Sequence, residues 1–445
     1  MQTRNNENSQ ENIQERLLDK AESTFWLLDR VSSMNFAVIA EGEGDLNPDL
    51  IRRALDIVQK KHPLANVQVE LGNESGLMFK TVFEKKIPLK ILDFENELWK
   101  NRLAHEVMIP FSEGECPLIR AVFFRSFSGN WILSIIFHHS IADGRSGLSF
   151  LIDVFKETEN ILDYSNIINQ KCLPKSVLSL LKIEKENSDK PKISPPSEGP
   201  PVRIASLPSF SKKNRETNPV LTSFQLSESE LEILLSLCKQ KETTLHGIVG
   251  AAQLLALYSM FETTDPILLN LSNPADLKPN LSEKVPSETL GLYITLLTLG
   301  IFVRKDSNPW MIAKEISDGL RAQIRNGNND VSFYGLIPAA DQILSKPNGI
   351  KTLSALLQRF PQSSVLSNVG ILPDLPKFQN FRVTNLSFTV HPSVSQSVFV
   401  SASTYQKKMT ILLNYDSNRW TPDSFDLFKK NFMEILRELI IQTEY

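Results

Sequence analysis

The sequence lacks a long hydrophobic run, which argues against a membrane-spanning helix. Its longest apolar stretch, Leu290 to Val303, is interrupted by Gly291, Tyr293 and Gly300 and falls short of the ~20 residues that cross a bilayer. The first residues are polar and contain no apolar core like that of a secretory signal peptide. We therefore interpret the stretch as a buried strand and expect a cytoplasmic protein.

Cysteine is scarce: only Cys116, Cys172 and Cys238 occur in 445 residues. A disulfide framework uses an even number of cysteines, and a zinc site usually contains a closely spaced pair. Neither is indicated, so we expect no metal and a reducing cytosol. The sequence also has no Gly-x-Ser-x-Gly motif and no cysteine close to a histidine, which argues against a covalent intermediate on serine or cysteine.

Charge of one sign is not in excess, since 48 basic residues face 51 acidic ones and the formal net charge is -3. This balance gives no reason to expect a nucleic acid or a lipid surface as a partner. Hydrophobic residues make up 41% of the chain and charged residues 22%, as in globular proteins. The length predicts two domains.

One loop concentrates the residues that suggest chemistry: Phe137-His138-His139-Ser140-Ile141-Ala142-Asp143-Gly144. Two apolar runs precede it, Leu118 to Phe124 and Trp131 to Phe137, and the polar turn between them predicts a β-hairpin. A stripe at helical spacing follows it, formed by Leu148, Leu151, Ile152 and Phe155. The loop is therefore predicted to join a buried strand to a helix.

This position suits a catalytic base. Successive side chains at a strand end point in opposite directions, so only one of His138 and His139 can face a given cavity. A neutral imidazole can take a proton from a hydroxyl or amine that attacks a carbonyl, which typically contributes about 10²- to 10⁴-fold in rate. Asp143 could orient the imidazole or pair with a basic side chain and brace the loop, and we favour bracing. Free amides at the helix start near Gly144 could stabilise a developing negative charge.

The loop resembles the His-His-x-x-x-Asp-Gly signature of the chloramphenicol acetyltransferase-like superfamily, which includes the condensation domains of nonribosomal peptide synthesis. Within it, the sequence looks most like the polyketide-associated acyltransferases of the phthiocerol/phthiodiolone dimycocerosyl transferase type and the alcohol acetyltransferases. The resemblance implies that His139 is the general base and that His138, Asp143 and Gly144 are supporting residues. His138 and Asp143 also have the His-x4-Asp spacing of glycerolipid acyltransferases, but that family's Phe-Pro-Glu-Gly motif is missing.

The second half carries further segments that resemble this superfamily. Ser367-Asn368-Val369-Gly370 matches its Ser-Asn-x-Gly segment, and Asn368 could line the site from the second domain or serve only a strand-end turn. Thr243 to Ala252 resembles a helix start of the polyketide-associated enzymes, where His246 would be a hydrogen-bonding residue. Lys278 stands where the family commonly has arginine, which weakens any claim of bidentate anion binding.

The fold implied by the resemblance is α/β, built from α+β two-layer sandwiches. It comprises two chloramphenicol acetyltransferase-like domains with mixed sheets and helices, and an active-site tunnel lies at their interface. We predict an N-terminal domain at 1–172, a proline-rich linker at 173–219 and a C-terminal domain at 220–445. Four lysines of the linker could contact the phosphates of coenzyme A or an acidic carrier protein, but we favour a solvated linker, because such basic runs are common in linkers: Lys190, Lys192, Lys212 and Lys213.

The resemblance implies an acyltransferase that moves an acyl group from a coenzyme A or carrier-protein thioester to a hydroxyl or amine. We expect an ester-forming enzyme of lipid, polyketide or other secondary metabolism, acting as a monomer without a cofactor of its own. One alternative is an amide-forming condensation enzyme of nonribosomal peptide synthesis. Others are a non-catalytic protein that docks a carrier protein and a hydrolase that uses water as the acceptor.

Overall fold

The computed structural model describes residues 14–72, 76–94, 97–159, 172–181, 205–208, 210, 217–325 and 332–441. The helices of these ranges are α1 (Lys20–Asp29), α2 (Pro48–Lys61), α3 (Leu98–Met108), α4 (Gly144–Glu159), α5 (Val177–Leu180), α6 (Glu228–Gln240), α7 (Leu245–Tyr258), α8 (Pro309–Arg325), α9 (Ser332–Leu336), α10 (Ala340–Leu344), α11 (Gly349–Leu357) and α12 (Pro422–Ile441). The strands are β1 (Glu15–Leu17), β2 (Asn35–Gly44), β3 (Val67–Leu71), β4 (Leu77–Thr81), β5 (Leu89–Asp93), β6 (Ile119–Arg125), β7 (Asn130–His138), β8 (Pro219–Leu226), β9 (Ile267–Asp276), β10 (Ile294–Val303), β11 (Ser363–Ile371), β12 (Phe381–Val390), β13 (Gln396–Tyr405) and β14 (Lys408–Asp416). None of the described helices combines the length and the apolar character needed to cross a membrane.

Helices begin where the sequence places capping residues. The Asn47 side chain accepts a hydrogen bond from the backbone of Asp49 at the start of α2. Ser227 and Glu230 form the predicted capping box of α6, in which each side chain bonds the other residue's backbone amide. Such caps satisfy amides that have no partner within the helix, and each typically contributes about 1 kcal/mol.

The first sheet has the strand order β12-β2-β7-β6-β5. The predicted hairpin is confirmed as the antiparallel pair β6 and β7, while β5 runs parallel to β6. Alternate side chains of β7 enter different cores: Ile135 and Phe137 pack on one face of the sheet, and Ile132 and Ile136 pack on the other. This alternation decides the directions of the two histidines that follow.

The second sheet has the order β10-β9-β11-β13-β14-β8 and is also mixed, because β11 is parallel to both of its neighbours. Buried side chains of α6, α7, α8 and α12 form a core against one face of this sheet. A small third sheet, β1-β4-β3, flanks the first half. The mixed sheets with helices that the resemblance implied are confirmed.

Strand β12 connects the two halves of the chain. It lies within 220–445 in sequence but pairs antiparallel with β2 of the first sheet. It also bonds to the second sheet, where the Thr410 hydroxyl donates to Oδ1 of Asn385 over 2.9 Å and the Ser403 hydroxyl donates to the Leu386 carbonyl over 2.8 Å. Hydrogen bonds as well as apolar contacts thus hold the two halves together.

Several elements depart from the sequence predictions. The strand predicted at Leu290 to Val303 begins only at Ile294, because Leu292 and Tyr293 belong to a buried loop. Strands β5 and β8 and the short helices α9, α10 and α11 were not predicted. Of the predicted linker, Leu181 forms a β-bridge with Leu281, so its described beginning packs on the second half.

Candidate active site

The histidine loop lies where prediction placed it, between the end of β7 and the start of α4. His138 is the last residue of β7 and bonds through its backbone amide to the Leu118 carbonyl over 3.0 Å. The next amide of the turn, that of Ser140, donates to Nδ1 of His138 over 3.1 Å. These bonds fix the backbone on both sides of His139.

His138 points into the core of the first half. Its side chain is fully buried, and Nε2 lies 3.5 Å from Oδ2 of Asp29 at the end of α1. Since Nδ1 accepts the Ser140 amide proton, we assign a proton to Nε2, which faces the Asp29 carboxylate. Burial alone would raise the pKa of Asp29, but the contacts from His138 and the Met34 amide outweigh it and lower the pKa.

His139 points to the opposite face, as strand alternation requires. Its ring stacks on Phe25 of α1, with the centroids 4.3 Å apart, and also lies against Phe36. This apolar contact excludes water from the ring, and burial lowers the pKa of His139 to about 4, although the backbone carbonyls of His139 and Ala142 oppose the shift. The imidazole is therefore neutral at physiological pH. Nδ1 is buried and makes no hydrogen bond of normal geometry.

Asp143 braces the loop, as favoured from the sequence, but its partners are backbone amides and not a basic side chain. Oδ1 accepts the Ser146 amide over 2.8 Å, and Oδ2 accepts the Tyr293 amide over 2.9 Å. The Asp143 amide donates in turn to the Gly291 carbonyl over 3.0 Å. Asp143 therefore ties the start of α4 to a loop of the second half.

The start of α4 is closely packed. A side chain at Gly144 would meet the Phe388 ring at 3.3 Å, so glycine lets β12 approach the loop. The Ser146 amide is already taken by Asp143. Of the backbone amides predicted to stabilise a developing negative charge, those of Gly144 and Arg145 therefore remain as candidates.

A cavity of about 370 Å³ opens beside His139, between the two halves. This volume lies within the range typical of ligand pockets. The first half contributes Phe25, Leu28 and Met34 as well as the histidine loop, and the second half contributes side chains of β9 to β13 and α9. The structure thus places a cavity between the two halves, where the resemblance implied an active-site tunnel.

Asn368 lines this cavity, as the sequence suggested it could. Its Oδ1 accepts the Gly370 amide over 2.8 Å, and Gly370 adopts a positive φ of 79° that favours glycine. The same side chain thus serves the turn and borders the cavity. Arg145 and Asp276 also line it, with Nη1 of Arg145 3.7 Å from Oδ2 of Asp276.

Two residues noted from the family pattern, Lys278 and His246, make contacts that support the structure and do not line the cavity. Nζ of Lys278 donates to the Ser287 carbonyl over 3.1 Å and lies 4.9 Å from the centre of the Tyr293 ring, so it holds the loop that Asp143 also binds. Nε2 of His246 lies 2.8 Å from Oδ1 of Asn273, outside the residues that line the cavity. The predicted linker lysines lie outside the described residues: Lys190, Lys192, Lys212 and Lys213.

Sequence reasoning missed Asp29, Phe25 and Tyr293. The helix containing Asp29 and Phe25 was predicted, but nothing in the sequence indicates that it packs against a loop more than a hundred residues away. Tyr293 is recognised through its backbone amide, which any residue except proline supplies. A pairing of this kind leaves no signal in residue type.

Comparison with known proteins adds an independent view of the chain. Residues 215–415 match the profile of a family described as the phthiocerol/phthiodiolone dimycocerosyl transferase C-terminus. No curated protein sequence matches the chain. The family profile therefore covers most of the second half, including the Asn368 segment.

Solved structures resemble nearly the whole chain. Polyketide synthase associated protein 5 from Mycobacterium tuberculosis superimposes with a TM-score of 0.67 at 15% identity, covering 95% of this chain and 97% of that chain. A trichothecene 15-O-acetyltransferase from Fusarium sporotrichioides gives 0.69 at 14% identity, with 95% of both chains covered. The epimerization domain from the third module of tyrocidine synthetase B gives 0.65 at 15% identity, with 96% of both covered. These likenesses confirm the fold implied by the histidine loop.

Proposed function

We propose that this chain, whose fold is that of the chloramphenicol acetyltransferase-like and condensation-domain superfamily, transfers an acyl group from a thioester to a hydroxyl group. The donor would be acyl coenzyme A or an acyl group on the phosphopantetheine of a carrier protein. The dimycocerosyl transferase profile and the likeness to a 15-O-acetyltransferase support an ester product over an amide. Fold alone does not choose the reaction, since an epimerization domain shares it.

One observation carries the proposal: a neutral imidazole, that of His139, borders a cavity formed by both halves. Since Nδ1 is buried, Nε2 is the nitrogen available to the substrates. Nε2 takes the proton of the acceptor hydroxyl as its oxygen attacks the thioester carbonyl carbon. The new C–O bond forms, the C–S bond breaks, and the leaving thiolate receives the proton from Nε2. The His139 imidazole is thereby returned to its neutral form.

His138 cannot act as the general base from its position. It has no exposed surface, its Nδ1 contacts Ser140, and its Nε2 faces Asp29. The Asp29 carboxylate receives a hydrogen bond from the Met34 amide and lies 3.5 Å from Nε2 of His138, so it is held on both sides. We propose that His138 and Asp29 position the loop and that Asp143 ties it to the second half.

The proposal is tested by incubating the purified full-length chain with acyl coenzyme A donors of several chain lengths and a panel of alcohols and amines. Mass spectrometry is expected to detect an ester that depends on enzyme, donor and alcohol together. Amide formation with equal efficiency would instead favour the condensation reaction. Free acid without any acceptor product would identify a hydrolase. Binding of the donor without any product would leave only a docking protein.

The pH dependence of the rate is a second test. The pKa of His139 is lowered to about 4. At a pH one unit above this pKa, about 90% of the molecules still have a neutral His139 ring. We therefore expect kcat/KM to remain level from about pH 8 down to about pH 5 and to fall only below it. An acid limb with its midpoint near ~6.5, the ordinary histidine value, would contradict this environment for the base.

Folding must be monitored in the same pH series. His139 and His391 both have their pKa lowered to about 4 by burial. Between about pH 6.5 and pH 4 the unfolded chain binds more protons than the folded one, so the free energy of unfolding decreases as the pH falls. Circular dichroism at each pH separates a loss of base from a loss of fold.

A further inference from the structure

The direction of the His139 imidazole is not set by a polar partner on Nδ1. In a Ser-His-Asp arrangement, a carboxylate bonded to this nitrogen holds the ring, but Nδ1 of His139 makes no hydrogen bond of normal geometry. The carboxylates of α1 and of the loop are engaged elsewhere, since Asp29 lies beside His138 and Asp143 accepts two backbone amides. Packing must therefore orient the ring.

Two aromatic side chains pack against the imidazole. Phe25 of α1 stacks almost parallel on His139, with the centroids 4.3 Å apart and an angle of 18° between the planes. Phe36 of β2 lies 4.9 Å away at an angle of 50°. Phe36 is fully buried and stacks in turn on Phe137, so it belongs to the core of the first half. Phe25 also lines the cavity, so the position of α1 decides how much of the imidazole water can reach.

A buried ion pair holds α1 in place. Glu22 lies about one turn before Phe25 on this helix and is 2% exposed. Both of its carboxylate oxygens accept hydrogen bonds from Arg16, over 2.7 Å from Nη1 to Oε2 and over 2.6 Å from Nη2 to Oε1. A guanidinium matches a carboxylate in this bidentate geometry, which a lysine side chain cannot reproduce.

The same anchor reaches the beginning of the predicted linker. Nε of Arg16 donates to the Pro174 carbonyl over 2.9 Å. Asp19 is the N-cap residue of α1 and accepts the Glu22 amide through Oδ1. Its other oxygen, Oδ2, accepts the Leu178 amide over 3.0 Å. The start of α1 is thus tied to backbone groups of a segment far away in sequence, and these bonds fix the helix that contains Phe25.

Charged and titratable side chains on the elements around His139 have partners of their own. In the described part of the chain they are Glu22 and Asp29 on α1, His138 and Asp143 in the loop, Arg145 on α4, Asp276 on β9 and Tyr334 on α9. Burial is the largest cause of the lowered pKa of His139, and among these residues only His138 adds to it. The apolar cover of the imidazole therefore affects its protonation more than the neighbouring charges do.

We propose that Phe25 is a positioning residue for the general base, and that Arg16, Glu22 and Asp19 hold it against the imidazole. The stacked ring takes the place of an orienting carboxylate, since it directs Nε2 of His139 into the cavity and keeps water from the ring. The inference rests on the proposed function for the role of His139 in turnover. The orientation and hydration of the imidazole are measured without any turnover.

Two substitutions of Phe25 separate hydration from orientation. F25A opens space for water beside the imidazole, so we expect the pKa of His139 to rise by about one unit or more, towards the ordinary value of ~6.5. F25L keeps an apolar cover without the flat ring. We expect it to change the pKa less than F25A does and to lower kcat about tenfold with little change in KM. The matched controls are F428A and F428L, at a fully buried phenylalanine of α12 in the core of the second half.

Nuclear magnetic resonance of the full-length chain with ¹⁵N-labelled histidine measures the pKa directly. The spectrum of H139A identifies the His139 signals among those of the 6 histidines. The acid limb of kcat/KM is recorded for the same variants, and we expect its midpoint to move to higher pH together with the pKa. Circular dichroism at each pH confirms that each variant is folded.

The anchor of α1 is tested by R16K, which keeps the positive charge but loses the bidentate geometry. We expect kcat to fall about threefold and the pKa of His139 to rise by less than in F25A. The matched control is R382K, because Arg382 also pairs with a glutamate, Glu43, but at an exposed position at the other end of β2 from Phe36. Neither kcat nor the pKa is expected to change in R382K.

The outcomes separate this inference from the proposed function. A His139 pKa in folded F25A that equals that of F428A would overturn the inference, even if acyl transfer is observed. A kcat and a pKa in R16K that match those of R382K would remove the anchor. A raised pKa in F25A without acyl transfer by the unmodified chain would keep the position of Phe25 and remove the proposed reaction. If F25A does not fold, a kcat in F25L equal to that of F428L overturns the inference instead.

Discussion

Replacement of His139 by alanine is expected to lower kcat/KM for acyl transfer by about 10²- to 10⁴-fold, the usual contribution of a general base. The attacking hydroxyl must then lose its proton to water in a cavity whose walls are largely apolar. Donor binding is expected to remain, since the ring occupies one side of a much larger cavity. The fold is expected to persist, because Nδ1 of His139 makes no hydrogen bond that the change would break.

The control for this experiment is H105A. His105 is an exposed residue of α3 and does not line the cavity, so its removal tests for general effects of losing a histidine. Rates are measured as initial velocities of thiol release, and donor binding is measured by calorimetry. Undiminished transfer by a correctly folded H139A would end the assignment of this residue as the base.

Replacement of Asp29 by alanine is expected to lower the free energy of unfolding by several kcal/mol, since each buried polar group left without a partner costs about 1–3 kcal/mol. The change leaves the Met34 amide without its acceptor and the Nε2 proton of His138 facing a void. A loss of this size approaches the whole stability of many domains. Chemical denaturation followed by circular dichroism measures it.

The milder variant D29N keeps the test informative if D29A does not fold. Asparagine has one acceptor oxygen where aspartate has two, so it cannot receive both the Met34 amide and the His138 proton. We expect a loss of about 1–3 kcal/mol, a decrease in kcat and a shift of the His138 tautomer visible in the ¹⁵N spectrum of labelled histidine. D374N, at an exposed aspartate, is the control. An unchanged tautomer and rate in D29N would show that Asp29 does not position the loop.

Local structure around the site could be predicted because its signals lie within short stretches. The alternation in β6 and β7, the helical stripe of α4 and the capping residues each reflect interactions between neighbours in sequence. The same holds for the directions of His138 and His139, since the pleat of a strand decides them. These predictions required no knowledge of which elements meet.

Long-range partners could not be predicted in this way. Asp29 meets His138, and Asp143 meets the Tyr293 amide, through packing that no local pattern encodes. Strand β12 was predicted as a strand, but its place beside β2 was not, because nothing in its sequence indicates which strand it pairs with. The stretch from Leu290 was misassigned at its start because loop residues that pack under other elements are as apolar as strand residues.

Strand β12 also limits how the molecule can move and unfold. A strand from the second half completes the first sheet. The two halves therefore cannot move apart as rigid bodies without breaking the backbone hydrogen bonds between β12 and β2. We therefore expect a ligand to reach His139 through the cavity between the halves, without a separation of those halves. A fragment that ends before β12 would leave β2 as an exposed edge strand with unpaired backbone groups, and such strands promote aggregation.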